Sequence, residues 1–97
     1  MGLGPTLRRE MLGEAIEIQA LVADFAAAHR LAVAKAASIT ADPLLVAWYD
    51  RRRGRSSPQI EGCQEEIPAW LAYARSRRAD LIIDLNQEEY VFCFRRN

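Results

Sequence analysis

The chain has 97 residues, of which 51% are hydrophobic and 27% charged, and this is enough for one domain but too little for two. The apolar content excludes a wholly disordered chain, and the longest apolar runs, six residues each, are too short to cross a membrane. Thirteen basic and thirteen acidic residues cancel, so the basic excess typical of nucleic-acid binding is missing. We therefore expect neither a nucleic-acid nor a membrane partner.

Residues 1–13 contain three glycines, one proline and few apolar side chains, which predicts a flexible N-terminal tail before a single domain over residues 14–97. The tail has no apolar stretch typical of a signal peptide. The chain has two cysteines, Cys63 and Cys93, fewer than a disulfide framework needs. These features favour a cytoplasmic protein with free thiols.

The first predicted elements are a short strand and a long helix. Ile16 and Ile18 alternate with polar residues over 14–20, which favours a half-buried strand, while a helix beginning near Arg8 also fits the spacing. A helix is predicted from the N-cap residue Asp24 to Asp42, because the residue before Pro43 leaves the helical conformation. Its apolar stripe comprises Phe25, Ala26, His29, Val33, Ala36 and Ala37.

Residues 44–51 follow as a strand that is apolar on both faces, which predicts a central position in the sheet. Strict alternation places Leu45, Ala47 and Tyr49 on one face, and Leu44, Val46 and Trp48 on the other. The basic run 51–55 and the Gly-, Ser- and Glu-containing residues 54–66 predict a long loop.

The C-terminal part predicts a β-hairpin, because apolar residues alternate over 81–85 and 90–94 on either side of a polar turn. Residues 68–76 fit both a helix and a strand, and the neighbouring hairpin favours a strand that extends it to a meander. The predicted fold is α+β with the order βαβββ: a mostly antiparallel five-stranded sheet with one long helix packed on one face.

A spaced set of residues resembles a family of small uncharacterised α+β domains from archaea and from anaerobic, sulfate-reducing or metal-reducing bacteria. The pattern is Trp-Tyr-Asp-Arg at 48–51, Ser-Pro at 57–58, Glu61, Cys63, Pro68, Trp70, Tyr-Ala at 73–74, Ser-Arg at 76–77, Leu81, Ile-Asp at 83–84, Asn86 and Tyr-Val-Phe at 90–92. The resemblance supports a strand over 68–76 and implies no activity. The resemblance implies a glycine turn, as in many members, where this chain has Arg78-Ala79, and a more charged helix than the alanine-rich one here.

Three groups of residues are candidates for a binding site. Trp48, Asp50 and Arg51, at the end of the second strand, can offer an aromatic face and a charge pair to a ligand. A core tryptophan with rim salt bridges is the alternative. Glu61 and Cys63 in the long loop can serve thiol or metal chemistry, although a bland loop cysteine is the simpler interpretation.

The third group is a polar groove formed by Asp84, Asn86, Ser76 and Trp70 on the sheet face away from the helix. Alternatively, Asp84 pairs with Arg75 or Arg77 across the strands. The whole chain has only three Cys and His residues, too few for a structural zinc site, so we expect no metal and no cofactor.

These observations favour a small protein-interaction or ligand-binding module over an enzyme. The helix-free face of the sheet carries apolar residues that need cover, which predicts a homodimer or a protein partner. The alternative is a thiol-dependent redox or metal-handling protein that uses Cys63 with Glu61.

Overall fold

The computed structural model describes Leu7, residues 9–59 and residues 67–96, which form a five-stranded sheet with a helix on each face. The elements are a 3-10 helix (Arg9–Leu12), β1 (Ile16–Ile18), α1 (Phe25–Ile39), β2 (Leu44–Asp50), β3 (Arg55–Ser57), α2 (Ala69–Ser76), β4 (Leu81–Leu85) and β5 (Tyr90–Arg95). The sheet has the order β1-β4-β5-β2-β3, in which β1 and β4 are parallel and the other neighbours antiparallel. The α+β class is confirmed, but the sheet is mixed rather than mostly antiparallel, and a second helix is present.

Helix α1 begins as its sequence predicts. The Asp24 side chain accepts a hydrogen bond from the Ala27 amide at 2.9 Å, which is an N-cap interaction. The fully buried residues of the helix are Ala28, Ala32 and Ala36, so the predicted stripe is correct at Ala36 but wrong at Val33, which is 38% exposed. Three methyl groups at a spacing of four residues let the helix backbone lie close to the sheet, and Phe25 and Leu31 pack against the same cluster beside them.

A β-bulge in β2 changes which residues share a face. Leu45 pairs with Phe94 and Ala47 pairs with Cys93, so Val46 is the extra residue on the bulged strand. The alternation therefore shifts by one residue, and Leu45 joins Trp48 on the α1 face. Ala47 and Tyr49 lie on the opposite face, which we call the α2 face.

Residues 69–76 form helix α2, so the predicted strand is wrong. A strand would point Trp70 and Leu71 to opposite faces, whereas the helix buries Trp70, Leu71 and Ala74 together against the sheet. Alanine also favours a helix over a strand. Strand β3, which pairs with β2, lies within the predicted loop instead and brings the number of strands to five.

The α2 face is covered, which corrects the expectation of a helix-free face. Helix α2 packs on it, and Leu7 and Leu12 from the predicted N-terminal tail join the same cluster with 5% and 2% of their surface exposed. The described part of the predicted tail therefore contributes to the core. The surface on which the predicted homodimer rested is not available, and self-association has no support from it.

Helix α2 ends in a Schellman motif with an unusual residue at its left-handed position. The Ala79 amide donates to the Ala74 carbonyl at 3.0 Å and the Arg78 amide to the Arg75 carbonyl at 3.1 Å. Arg78 has a φ of 63°, a conformation that favours glycine. This is the turn in which the resemblance implies a glycine.

We expect Arg78→Gly to stabilise the fold by about 0.5–1 kcal/mol, because glycine relieves the left-handed strain at this position. Urea unfolding measures the change. Arg96→Gly, an exposed site outside the motif, is the comparison and should give no stabilisation. If both variants change the free energy of unfolding equally, the left-handed conformation of Arg78 does not destabilise the fold.

Candidate functional site

Trp48 and Asp50 share the α1 face, but neither is free to grip a ligand. The Trp48 ring packs on Phe25 with 4.4 Å between the ring centroids. Asp50 is buried and accepts a hydrogen bond from the Arg53 amide at 3.2 Å, which stabilises the turn between β2 and β3. The first predicted group is therefore part of the core and of a turn.

Trp70 lies on the other side of the sheet, so the two tryptophans do not meet. Its ring is 4% exposed and stacks on Tyr49, with 5.2 Å between centroids and 5° between planes. Glu61 and Cys63 lie outside the described residues. Cys93 is a free, buried thiol, and burial raises its pKa to about 12, which keeps it protonated at neutral pH.

Asp84 is the most unusual of the predicted residues, because it is a carboxylate in the middle of a buried strand with 1% of its surface exposed. Its Oδ1 accepts a hydrogen bond from the Glu88 amide at 2.6 Å. Its Oδ2 receives no hydrogen bond, and Arg9 Nε approaches it at 3.6 Å. The predicted partners Arg75 and Arg77 are wrong, because α2 is a helix and not a neighbouring strand.

Arg51 lies beside the turn between β4 and β5 and donates hydrogen bonds to two main-chain carbonyls. Its Nε donates to the Glu88 carbonyl at 3.0 Å and its Nη2 to the Leu7 carbonyl at 3.3 Å. Arg51 and Asp84 therefore meet in one polar cluster, although the sequence assigned them to separate groups. This cluster links the β4–β5 turn to the residues that precede β1.

The β4–β5 turn has three consecutive left-handed residues, Asn86, Gln87 and Glu88, with φ values of 54°, 57° and 65°. Such a backbone persists only where neighbouring contacts determine it. Besides the Asp84 and Arg51 contacts, the Asn86 side chain exchanges two hydrogen bonds with the backbone of Ala20, at 2.9 and 2.8 Å. The polar residues of this region thus hold the turn in place.

Desolvation raises the pKa of Glu88, and the neighbouring Asp84 carboxylate raises it further. A carboxyl group whose pKa is higher in the folded chain contributes most stability below its ordinary pKa of 4.5, and this contribution is lost as the pH rises through the raised value. The protonated form of Glu88 therefore suits this turn better than the charged one.

An open hollow of about 390 Å³ lies where β2 begins and where α2 and β5 end. Its size is within the range of small-molecule sites. It is lined by Leu44, Leu45, Val46, Tyr73, Arg77 and Arg95, and we call it the arginine hollow. The bulge at Val46 forms part of its lining, so the local irregularity of β2 shapes this surface.

The charges in the arginine hollow are uncompensated among the described residues. Among the described residues, neither Arg77 nor Arg95 forms an ion pair with a carboxylate. The Arg77 guanidinium lies over the Tyr73 ring, 5.1 Å from its centroid, which is a cation–π contact. Tyr73, Arg77 and Arg95 were not predicted as site residues, and only the recurrence of arginine after residue 74 could have drawn attention to them.

A larger hollow of about 650 Å³ lies at the carboxyl ends of β1 and β4, but its charges are already paired. Arg52 Nε lies 3.6 Å from Glu89 Oε2, and both residues line this hollow. In the part of the chain that the structure describes, no group of three or more His, Cys, Asp or Glu residues could hold a metal ion. The same residues include no helix both long and apolar enough to traverse a bilayer.

The fold and the hollow define a small α+β domain with a surface site of ligand size. Residues 14–94 match the family model DUF5619, a domain of unknown function, and the chain belongs to this family. The crystal structure of protein AF1514 from Archeoglobus fulgidus DSM 4304 is similar, with a TM-score of 0.74 and 28% sequence identity over 87% of this chain and 94% of that chain. No curated protein matches the chain. The resemblance to an uncharacterised family is thereby confirmed, and the thiol-dependent alternative gains no support.

Proposed function

We propose that this protein is a binding module for a small organic anion and that the arginine hollow is its binding site. The observation that carries the proposal is the placement of two guanidinium groups, without carboxylate partners among the described residues, in one hollow of ligand size. Unpaired arginines on a surface are ordinary, but two that line the same concave site can act on one ligand.

The lining indicates the chemistry of the ligand. Arginine presents a planar set of N–H donors that matches a carboxylate or a phosphate. Leu44 and Val46 offer apolar contact, and Leu44 is 52% exposed, so a ligand that covers it gains hydrophobic stabilisation. A molecule with one anionic group and an apolar body satisfies both parts of the hollow.

The larger hollow is a weaker candidate for the same function. Its arginine, Arg52, already faces Glu89, so an incoming anion must compete with a fixed carboxylate. The arginine hollow imposes no such competition from the described residues. Charge complementarity therefore favours the smaller site.

We expect Arg77→Ala and Arg95→Ala each to weaken the binding of phenyl phosphate by about 10- to 100-fold, the equivalent of losing one charge-assisted hydrogen bond of 1.5–3 kcal/mol. Chemical-shift titration of the isotope-labelled protein measures the affinity and locates the site. Arg30→Ala, an exposed change on α1, is the matched control and should bind as the unchanged chain does.

Two simpler probes separate the contributions of charge and apolar contact. Inorganic phosphate should bind more weakly than phenyl phosphate at the same residues, and phenol should bind most weakly of the three. A titration in which the chemical shifts of Leu44, Tyr73 and Arg95 do not change would rule out the arginine hollow as the site. Equal losses of affinity for Arg30→Ala and Arg77→Ala would rule it out as well.

A further inference from the structure

The residues before β1 form a segment that rests on the α2 face, and we call Leu7 and residues 9–13 the N-terminal segment. Leu7 and Leu12 are buried in the same cluster as Trp70 and Val91. The match to the family begins at residue 14, so the segment lies outside the matched domain yet fills part of its surface. The structure thus contains a short stretch of chain seated on the family domain.

Two hydrogen bonds from the domain reach the main chain of this segment. Arg51 Nη2 donates to the Leu7 carbonyl at 3.3 Å, and Arg75 Nη2 donates to the Met11 carbonyl. Hydrogen bonds to carbonyl oxygens require a main chain in the right place but no particular side chain. Arg51, which follows β2, and Arg75 in α2 are therefore placed to bind the main chain of a peptide.

The side-chain preference comes from two apolar contacts and one charge. Between Leu7 and Leu12, the Arg9 Nε lies 3.6 Å from Asp84 Oδ2 and 2.9 Å from Glu17 Oε2. Asp84 is 1% exposed, and its Oδ2 has no hydrogen-bond donor among the described residues. The surface thus presents a buried, incompletely satisfied acceptor toward the basic residue of the segment.

We infer that the α2 face is a recognition surface for a peptide with the spacing Leu-x-Arg-x-x-Leu, and that the N-terminal segment is its occupant in the same chain. The partner is a protein that carries this pattern in an exposed stretch. Covalent attachment gives the N-terminal segment a high effective concentration, so a partner binds only by displacing it. The inference does not involve Arg77 or Arg95 and stands apart from the arginine hollow.

The test uses the full chain with Leu7→Ser and Leu12→Ser combined, which weakens the seating of the segment. A fluorescein-labelled synthetic peptide of residues 5–15 should bind this variant at least about tenfold more tightly than the unchanged chain, in which the site is filled. A peptide with serine at both leucine positions is the matched control and should bind neither protein. Failure of the natural peptide to bind the folded double variant would overturn the inference.

A second variant covers the case in which the double variant does not fold. Arg9→Ala removes the approach to Asp84 and leaves both leucines in the core. The labelled peptide, which retains its arginine, should then bind about threefold or more tightly than it binds the unchanged chain, because its competitor has lost one contact. Equal affinity for Arg9→Ala and the unchanged chain would contradict the inference.

Discussion

Replacing Asp84 with alanine is expected to destabilise the fold by about 2–3 kcal/mol. The change leaves the Glu88 amide without its 2.6 Å acceptor and removes the negative charge that Arg9 approaches. The loss stays below that of a fully stranded buried charge, because Arg9 is partly exposed and keeps its ion pair with Glu17. Guanidinium unfolding measures the change.

Two matched variants identify the physical origin of this effect. Asp84→Asn keeps an acceptor for the Glu88 amide but loses the charge, so it should recover part of the stability and lower the pKa of Glu88 toward its ordinary value. Asp80→Ala removes an exposed carboxylate near the start of the same hairpin and should cost about 0.5 kcal/mol or less. An Asp84→Ala variant as stable as Asp80→Ala would show that the turn does not depend on Asp84.

The sequence correctly predicts those elements whose periodic pattern extends over enough residues to be unambiguous. The β4–β5 hairpin alternates over two strands, and α1 combines an N-cap aspartate with a high alanine content, so both are recovered. Residues 69–76 are too few to distinguish the period of a strand from that of a helix. Strand alternation and helical spacing fit equally well there. Burial decides between them, because only the helix places Trp70 and Leu71 on one side.

The candidate site depends on structural features that no local sequence pattern predicts. The bulge at Val46 shifts every later residue of β2 to the other face. Trp48 therefore shares a face with Leu45, where strict alternation predicts Tyr49. The position of Asp84 within an apolar strand is the local sign that it is unusual. Its partner Arg9 lies 75 residues away in the chain, and such long-range contacts are set by tertiary packing.

Replacing Trp70 with alanine is expected to cost about 3–5 kcal/mol, the usual range for a large aromatic residue lost from a packed core. Trp70 is 4% exposed and loses both its stack on Tyr49 and its contacts with the α2-face cluster. Trp70→Phe keeps an aromatic ring against Tyr49 and should cost less than half as much. Chemical unfolding followed by circular dichroism measures each variant.

Trp48 and Val33 provide the comparisons for this prediction. Trp48 is only partly buried, so Trp48→Ala should cost less than Trp70→Ala, although both remove the same side chain. Val33 is 38% exposed on α1, and Val33→Ala should change the stability by about 0.5 kcal/mol or less. A Trp70→Ala variant no less stable than Val33→Ala would mean that Trp70 faces solvent.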